Sequence, residues 1–190
     1  MTRKRSGILL RRLCITALMA ALSTVIGIIC KQFTFGFVRI TLENFPLIFT
    51  GFCFGPVYGA AAGIVADLVS CLVTGQDIQP LITLGVATVG AVSGLVSLAF
   101  VKLRPAAKDA FVLALSTGLA HLIGQVAVKC YGKTFYYGIP YFTVFWPCLG
   151  VSCILAAVEF TIIVFVMKIP EISKQLDVLR IKKGRDGRKA

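Results

Sequence analysis

Residues 39–67 read RITLENFPLIFTGFCFGPVYGAAAGIVAD, and this one stretch sets the architecture of the chain. After a polar opening it turns apolar and carries four glycines, each four positions apart: Gly51, Gly55, Gly59 and Gly63. In water, each of them would weaken a helix by about 1 kcal/mol relative to alanine. In a membrane, small residues at this spacing line one helical face and let two backbones approach closely. The stretch therefore predicts two tightly packed transmembrane helices, hinged at Gly55-Pro56, beside a polar rim.

The composition is that of a membrane protein. The 190 residues are 57% hydrophobic and 15% charged, with a mean hydropathy of +0.89, whereas soluble domains average about 25% charged residues. A spanning helix needs about 20 apolar residues, and six apolar segments occur: 9–30, 45–55, 57–74, 81–101, 109–129 and 141–167. We expect an all-α bundle of six transmembrane helices, the second of them short. This domain, 9–168, lies between a basic N-terminus, 1–8, and a basic tail, 169–190, and no cleavable signal peptide is evident.

The positive charge is distributed asymmetrically along the chain. Of 20 Lys and Arg residues, 16 lie near the two termini or between the fourth and fifth segments. The other four are Lys31, Arg39, Lys129 and Lys133. Because basic residues favour the cytoplasmic side, both termini are predicted to be cytoplasmic. The net charge of +12 is then an orientation signal and a contact for anionic lipid, and we expect no nucleic-acid partner.

No pattern of an enzyme or of a metal site occurs in the sequence. The seven cysteines form no Cys-x-x-Cys pair, so they are interpreted as small core hydrophobes rather than zinc ligands. Residues 131–134 read YGKT, but a phosphate-binding loop would need glycine where Ala127 stands. We therefore expect no catalytic residue, metal or cofactor.

Three ionisable residues, Asp67, His121 and Glu159, lie inside apolar runs. Such residues are costly in a bilayer and usually face a cavity or a partner. They predict either a shared polar floor beneath an outward-facing pocket or separate bonds between helices. His121, Gln125 and Lys129 are spaced by four and share one helical face, which we expect to point inward, although Lys129 is also placed to snorkel to the interface.

Aromatic residues cluster in the segments predicted to lie outside. They are Phe33, Phe35, Phe37, Tyr131, Phe135, Tyr136, Tyr137, Tyr141, Phe142, Phe145 and Trp146. An interfacial belt explains such a cluster without a ligand, while a stacking wall for a flat heterocycle explains it with one. The density of aromatic residues in this region favours a cluster that serves partly as a belt and partly as a stacking wall.

The first helix carries small residues at Ala17, Ala20 and Ala21. Small residues four apart let another helix dock closely. The pattern fits a partner protein, and it fits packing within the chain equally well.

Together these features resemble the substrate-binding S component of energy-coupling-factor (ECF) vitamin transporters, most closely the folate-type branch. The resemblance covers nearly all of residues 10–168. It rests on five stretches: ALMAAL at 17–22, RITLENFP at 39–46, GFCFGPVYG at 51–59 with Ala66-Asp67, PLITLG at 80–85 with Gly90 and Gly94, and HLIGQVAVK at 121–129.

The resemblance implies a multi-pass protein of a prokaryotic plasma membrane that captures a vitamin at its outer face. Its first three helices would dock on a membrane coupling T component joined to two cytoplasmic ATPase subunits, with Ala17, Ala20 and Ala21 in the docking face. ATP hydrolysis would belong to those partners, in keeping with the missing nucleotide motif here.

For folate or a related pterin, a carboxylate such as Glu43 or Asp67 would pair with the amino-pyrimidine edge. The anionic tail would meet Arg39, Lys129 or Lys133, since charge-assisted bonds to carboxylates are strong. The candidate substrate-binding residues are Arg39, Glu43, Asn44, Asp67, Gln76, His121, Gln125, Lys129, Tyr136 and Trp146.

The sixth segment departs from the folate-type pattern, because residues 144–149 read VFWPCL where a basic residue is expected. Thiamine, riboflavin or another vitamin therefore stays open as the substrate. Two alternatives of other classes are a solo proton-coupled carrier that uses Asp67, His121 and Glu159 as a relay, and a membrane-embedded enzyme or scaffold.

Overall fold

The computed structural model describes residues 2–30, 34–35, 38–39, 42–103 and 109–170; for 2–6, 34–35, 38–39, 101–103 and 109 it describes the backbone alone. The described residues form six helices: α1 (Thr2–Cys30), α2 (Asn44–Phe54), α3 (Pro56–Thr74), α4 (Pro80–Leu103), α5 (Asp109–Ala120, continued by His121–Lys129 and Cys130–Tyr137) and α6 (Tyr141–Lys168). Between α1 and α2, strands β1 (Thr34–Phe35) and β2 (Val38–Arg39) pair antiparallel. The predicted all-α fold with six helices is confirmed.

Five of the described helices are long and apolar enough to cross a membrane, and α2 is not. With 11 residues, α2 extends only about 16 Å. All of its residues except Phe45 are buried. It therefore lies inside the bundle.

The glycines of residues 51–63 form close contacts between helices. Gly55 links α2 to α3 with a φ of 101°, in the left-handed region that glycine tolerates and L side chains rarely adopt. A methyl group on Gly59 or Gly90 would meet the backbone of the other residue, and one on Gly94 would meet that of Pro56. The glycine face thus packs α2 and α3 against α4, with the hinge at the predicted position.

Serine hydroxyls reinforce this interface. Ser93 and Ser97 of α4 donate to the carbonyls of Ile48 (2.9 Å) and Phe52 (2.8 Å), and Ser116 of α5 donates to the Ser93 carbonyl (3.1 Å). Such bonds add to packing where the bilayer offers no hydrophobic driving force between helices. They tie α2 and α5 to α4.

The middle of α5, His121–Lys129, is a π-helix. A π-segment is rare and is frequently found at functional sites, and the sequence pattern did not predict this one. It passes close to α4, because a methyl group on Gly124 would collide with Val89. These turns carry the polar series of His121, Gln125 and Lys129.

Candidate functional site

A cavity of about 630 Å³ lies at the end of the bundle formed by the loops 75–79 and 138–140. This is the end predicted to face the outside. The volume falls in the range of small-molecule sites, about 300–1,000 Å³. The polar and charged residues that line the cavity are Ser23, Thr24, Glu43, Asp67, Ser70, Gln76, Asp77, Gln79, Gln125, Lys129, Lys133, Tyr137 and Ser152.

The cavity wall carries charges of both signs. Its acidic residues are Glu43, Asp67 and Asp77, and its basic residues are Lys129 and Lys133. Glu43 Oε1 lies 3.3 Å from Lys129 Nζ, and their side chains are 17% and 10% exposed. The wall therefore suits a ligand that carries both hydrogen-bond donors and an anionic group.

Asp67 lies in the wall with a fixed orientation. The Thr83 hydroxyl of α4 donates to Asp67 Oδ2 at 2.6 Å, which ties α3 to α4. An ionised carboxylate accepts several hydrogen bonds. Asp67 therefore keeps acceptor capacity for a ligand while Thr83 holds it in place.

At the mouth, the Gln79 amide donates to the Tyr137 hydroxyl at 3.4 Å. This bond joins the loop that follows α3 to the end of α5. Gly75, with a φ of 64°, ends α3 and lets the chain turn into this loop. The bond between Gln79 and Tyr137 thus connects two segments that bound the mouth.

A buried polar layer lies behind the cavity wall. His121 Nε2 and Glu159 Oε2 are 2.7 Å apart, and the two side chains are 2% and 0% exposed. His121 lies about one turn from Gln125, and Glu159 about one turn from Leu155, both of which line the cavity. His121 Nδ1, Glu159 Oε1 and the Asn44 amide have no hydrogen-bond partner among the described residues.

The structure answers whether Asp67, His121 and Glu159 form one polar floor or separate bonds. The structure brings His121 and Glu159 into contact, while Asp67 lies apart from them in the cavity wall with Thr83. Two of the three ionisable residues therefore form an interhelical pair, and the third faces the cavity.

The predicted binding residues divide into three groups. Glu43, Asp67, Gln76, Gln125 and Lys129 line the cavity. Asn44 and His121 are buried, and Tyr136 and Trp146 are exposed (38% and 67%); none of these four is among the lining residues. The backbone of Arg39 belongs to β2, which contacts α6, but its side chain lies outside the described part of the chain.

The aromatic cluster mostly faces away from the cavity. Among the described residues, Tyr137 is the aromatic side chain that lines it. Tyr131, Phe135, Phe142 and Trp146 are all more than half exposed. Residues 131–146 therefore resemble an interfacial belt more than a stacking wall, and Phe33, Phe35 and Phe37 lie outside the described side chains.

Several lining residues were not foreseen from the sequence. They include Ser23, Thr24, Ser70, Gln79, Tyr137, Cys148 and Ser152. Cys148 and Ser152 are four apart on α6 and share one face with Leu155, a small and polar stripe that the strongly apolar surroundings obscured. Gln79 follows Gln76 and Asp77, so the polar loop itself was the available signal.

The small residues of α1 do not share one environment. Ala17 and Ala21 are exposed on the surface of the bundle. Ala20 is 3% exposed and packs inside the chain with Leu47 and Ala62. The exposed surface of α1 thus contains two of the three predicted docking residues.

Comparison with known proteins identifies the kind of subunit that contains this cavity. Residues 11–172 match the family model described as "ECF transporter, substrate-specific component", and no curated protein matches the chain. The match extends over all six helices except the first turns of α1. In that family the substrate-specific component is a transport subunit that works with an energy-coupling module, not an enzyme. The chain belongs to the family of substrate-specific components of ECF transporters.

Proposed function

We propose that this subunit captures folate or a related pterin in the 630 Å³ cavity on the outer face of a prokaryotic plasma membrane. The observation that carries the proposal is the mixed charge of the cavity wall. A pterin offers a row of hydrogen-bond donors at one edge, and the folate tail carries carboxylates at the other end. A wall with both carboxylates and ammonium groups complements such a ligand.

Asp67 is the carboxylate that we assign to the pterin edge. The Thr83 hydroxyl donates to its Oδ2 at 2.6 Å, so the Asp67 side chain loses little conformational freedom when a ligand binds. Gln76 and Gln125, which also line the cavity, offer further donors and acceptors. Lys129, Lys133 and, from the loop before α2, Arg39 are assigned to the anionic tail.

The proposed partners are a membrane T component and two cytoplasmic ATPases, which would power the release of the vitamin into the cell. The exposed Ala17 and Ala21 give α1 a surface that another helix can approach closely. Ala20 is left out of this surface, because it packs inside the bundle.

The test is binding of the vitamin to the purified subunit in detergent, measured by thermal shift and by calorimetry. We expect folic acid to bind below micromolar concentration and to raise the unfolding temperature, since a ligand at 100 times its Kd adds about 2.7 kcal/mol. Thiamine and riboflavin serve as comparisons. Binding of either one in place of folic acid would reassign the vitamin, and a lack of binding by all three would contradict the proposed substrate class.

A further inference from the structure

Glu43 connects two helices across the cavity. Its Oε1 pairs with Lys129 of α5 at 3.3 Å. Its Oε2 packs against Gly27 of α1, where an added methyl group would lie only 2.8 Å from that oxygen. The Ser23 hydroxyl of α1 also donates to the Glu43 carbonyl at 2.6 Å. One residue therefore joins the inner face of α1 to the cationic side of the cavity.

Lys129 is the group for which a ligand must compete with the protein. Lys129 and Glu43 both line the cavity and are largely buried, at 10% and 17% side-chain exposure. A partly desolvated ammonium group requires a nearby anion, and Glu43 provides one. A ligand carboxylate that reaches Lys129 meets a cation that is already paired.

We propose that Glu43 is a displaceable internal anion: the anionic group of the ligand replaces it at Lys129 and thereby releases its hold on α1. The inference rests on the proposed function, because it requires a ligand with an anionic group. It assigns Glu43 a role in selectivity, since a neutral ligand leaves the Glu43–Lys129 pair intact.

Displacement of Glu43 by a ligand would also link the cavity to the outer surface of the bundle. Gly27 and Ser23 lie on the side of α1 that faces Glu43, while Ala17 and Ala21 lie exposed on the same helix. Displacement of the Glu43 carboxylate would remove its contact with Gly27, whereas the Ser23 bond to the Glu43 carbonyl would stay. Loss of the carboxylate contact at Gly27 is the local event that a measurement on α1 can detect.

The first arm of the test needs no vitamin and compares hydrogen exchange of residues 20–30 in the purified full chain. Glu43→Gln keeps the shape but removes the charge, and Gly27→Ala pushes the carboxylate away. We expect both variants to exchange faster than wild type. Gly118→Ala is the matched control, because an added methyl group there has no neighbour within 4 Å. Wild-type exchange rates in both Glu43→Gln and Gly27→Ala would overturn the proposed hold on α1.

The second arm uses two probes, folic acid and 6-hydroxymethylpterin, which lacks the anionic tail. We expect Glu43→Gln to raise the affinity for folic acid about tenfold relative to that for the tail-less pterin, corresponding to about 1.4 kcal/mol. Folic acid should also accelerate exchange of residues 20–30 in wild type. Weaker or unchanged binding of folic acid by Glu43→Gln, or an equal gain in affinity for both probes, would overturn the proposed displacement of Glu43 by the ligand.

The two proposals fail in different ways. If wild type binds neither probe, the assignment to folate fails, and the first arm still decides whether Glu43 restrains α1. If wild type binds folic acid but Glu43→Gln gains no affinity, the folate assignment stands and the internal-anion proposal is wrong.

Discussion

The two ends of α4 have different surroundings: one packs against helices and the other lines the cavity. Toward its C-terminus, Gly90 and Gly94 bring α3 into backbone contact, and Ser93 and Ser97 bind the carbonyls of α2. Toward its N-terminus, Ile82 and Val86 line a polar cavity. The same helix is therefore a tightly packed support at one end and a cavity wall at the other. Small residues therefore hold the bundle together at the C-terminal side of α4, which we call the closed end. Polar residues concentrate around the cavity at its N-terminal side, the hollow end.

The largest effect is expected where the two regions meet, at the His121–Glu159 pair. Glu159→Ala leaves a buried histidine nitrogen without its hydrogen-bond partner, which costs about 1–3 kcal/mol, and the cavity left by the missing side chain adds to that loss. Unfolding of the purified protein in detergent measures the loss. Glu159→Gln is the control, because it keeps a hydrogen-bonding group at 0% exposure and should lose less. Wild-type stability of Glu159→Ala would show that the pair does not hold α5 and α6 together.

The closed end is tested by Gly90→Ala. The added methyl group would meet the Gly59 backbone, which cannot rotate away as a side chain does. Overpacking of this kind costs about 1–3 kcal/mol. The unfolding temperature should fall in Gly90→Ala but not in Gly118→Ala. Equal temperatures would mean that backbone contact between α3 and α4 contributes little to the bundle.

The hollow end is tested by Asp67→Asn, with folic acid as the probe. Loss of a charge-assisted hydrogen bond weakens binding by about 1.5–3 kcal/mol, while the amide still accepts from Thr83 and the fold is kept. Calorimetric titration measures the affinity. Trp146→Ala is the control, because that side chain is 67% exposed and does not line the cavity. If Trp146→Ala weakens binding more than Asp67→Asn does, the site lies on the aromatic surface instead.

The smallest effect on binding is expected outside both regions, at Ala17 and Ala21. Replacing both with leucine should leave folic acid affinity unchanged, because they are exposed and are not among the lining residues. Uptake by cells that contain the coupling module should be lost, since bulky side chains prevent close helix docking. Ala127→Leu, on the exposed surface of α5, should retain uptake. A double variant that loses vitamin binding would contradict the separation of docking from capture.

The closed end was the more predictable of the two. Hydropathy placed the six helices within a few residues, except that α1 begins at Thr2 instead of residue 9 and α5 continues to Tyr137. The glycine spacing predicted both the close packing and the hinge at Gly55. These features depend on local sequence and on one strong physical rule, that membrane helices pack through small residues. The resemblance to the substrate-binding components of ECF transporters is confirmed by the match over residues 11–172.

The hollow end was less predictable, because its geometry depends on how helices rotate against one another. The pairing of His121 with Glu159 joins residues 38 positions apart, and the π-helix at His121–Lys129 changes which side chains face inward. Ala20 and Ala21 are neighbours in sequence, yet one is buried and the other exposed. Trp146 and Tyr137 have similar chemistry, and only the fold places Tyr137 at the cavity.

The most direct test of the cavity as the capture site uses Cys71, which lines it. In a chain that keeps Cys71 and has serine at the other six cysteines, a membrane-impermeant thiol reagent is added to intact cells. We predict labelling from the outside that folic acid slows, while a matched chain that keeps only Cys30, which is not among the lining residues, shows no such protection. Labelling of Cys71 only from the cytoplasmic side, or an unchanged labelling rate under saturating folic acid, would contradict the account.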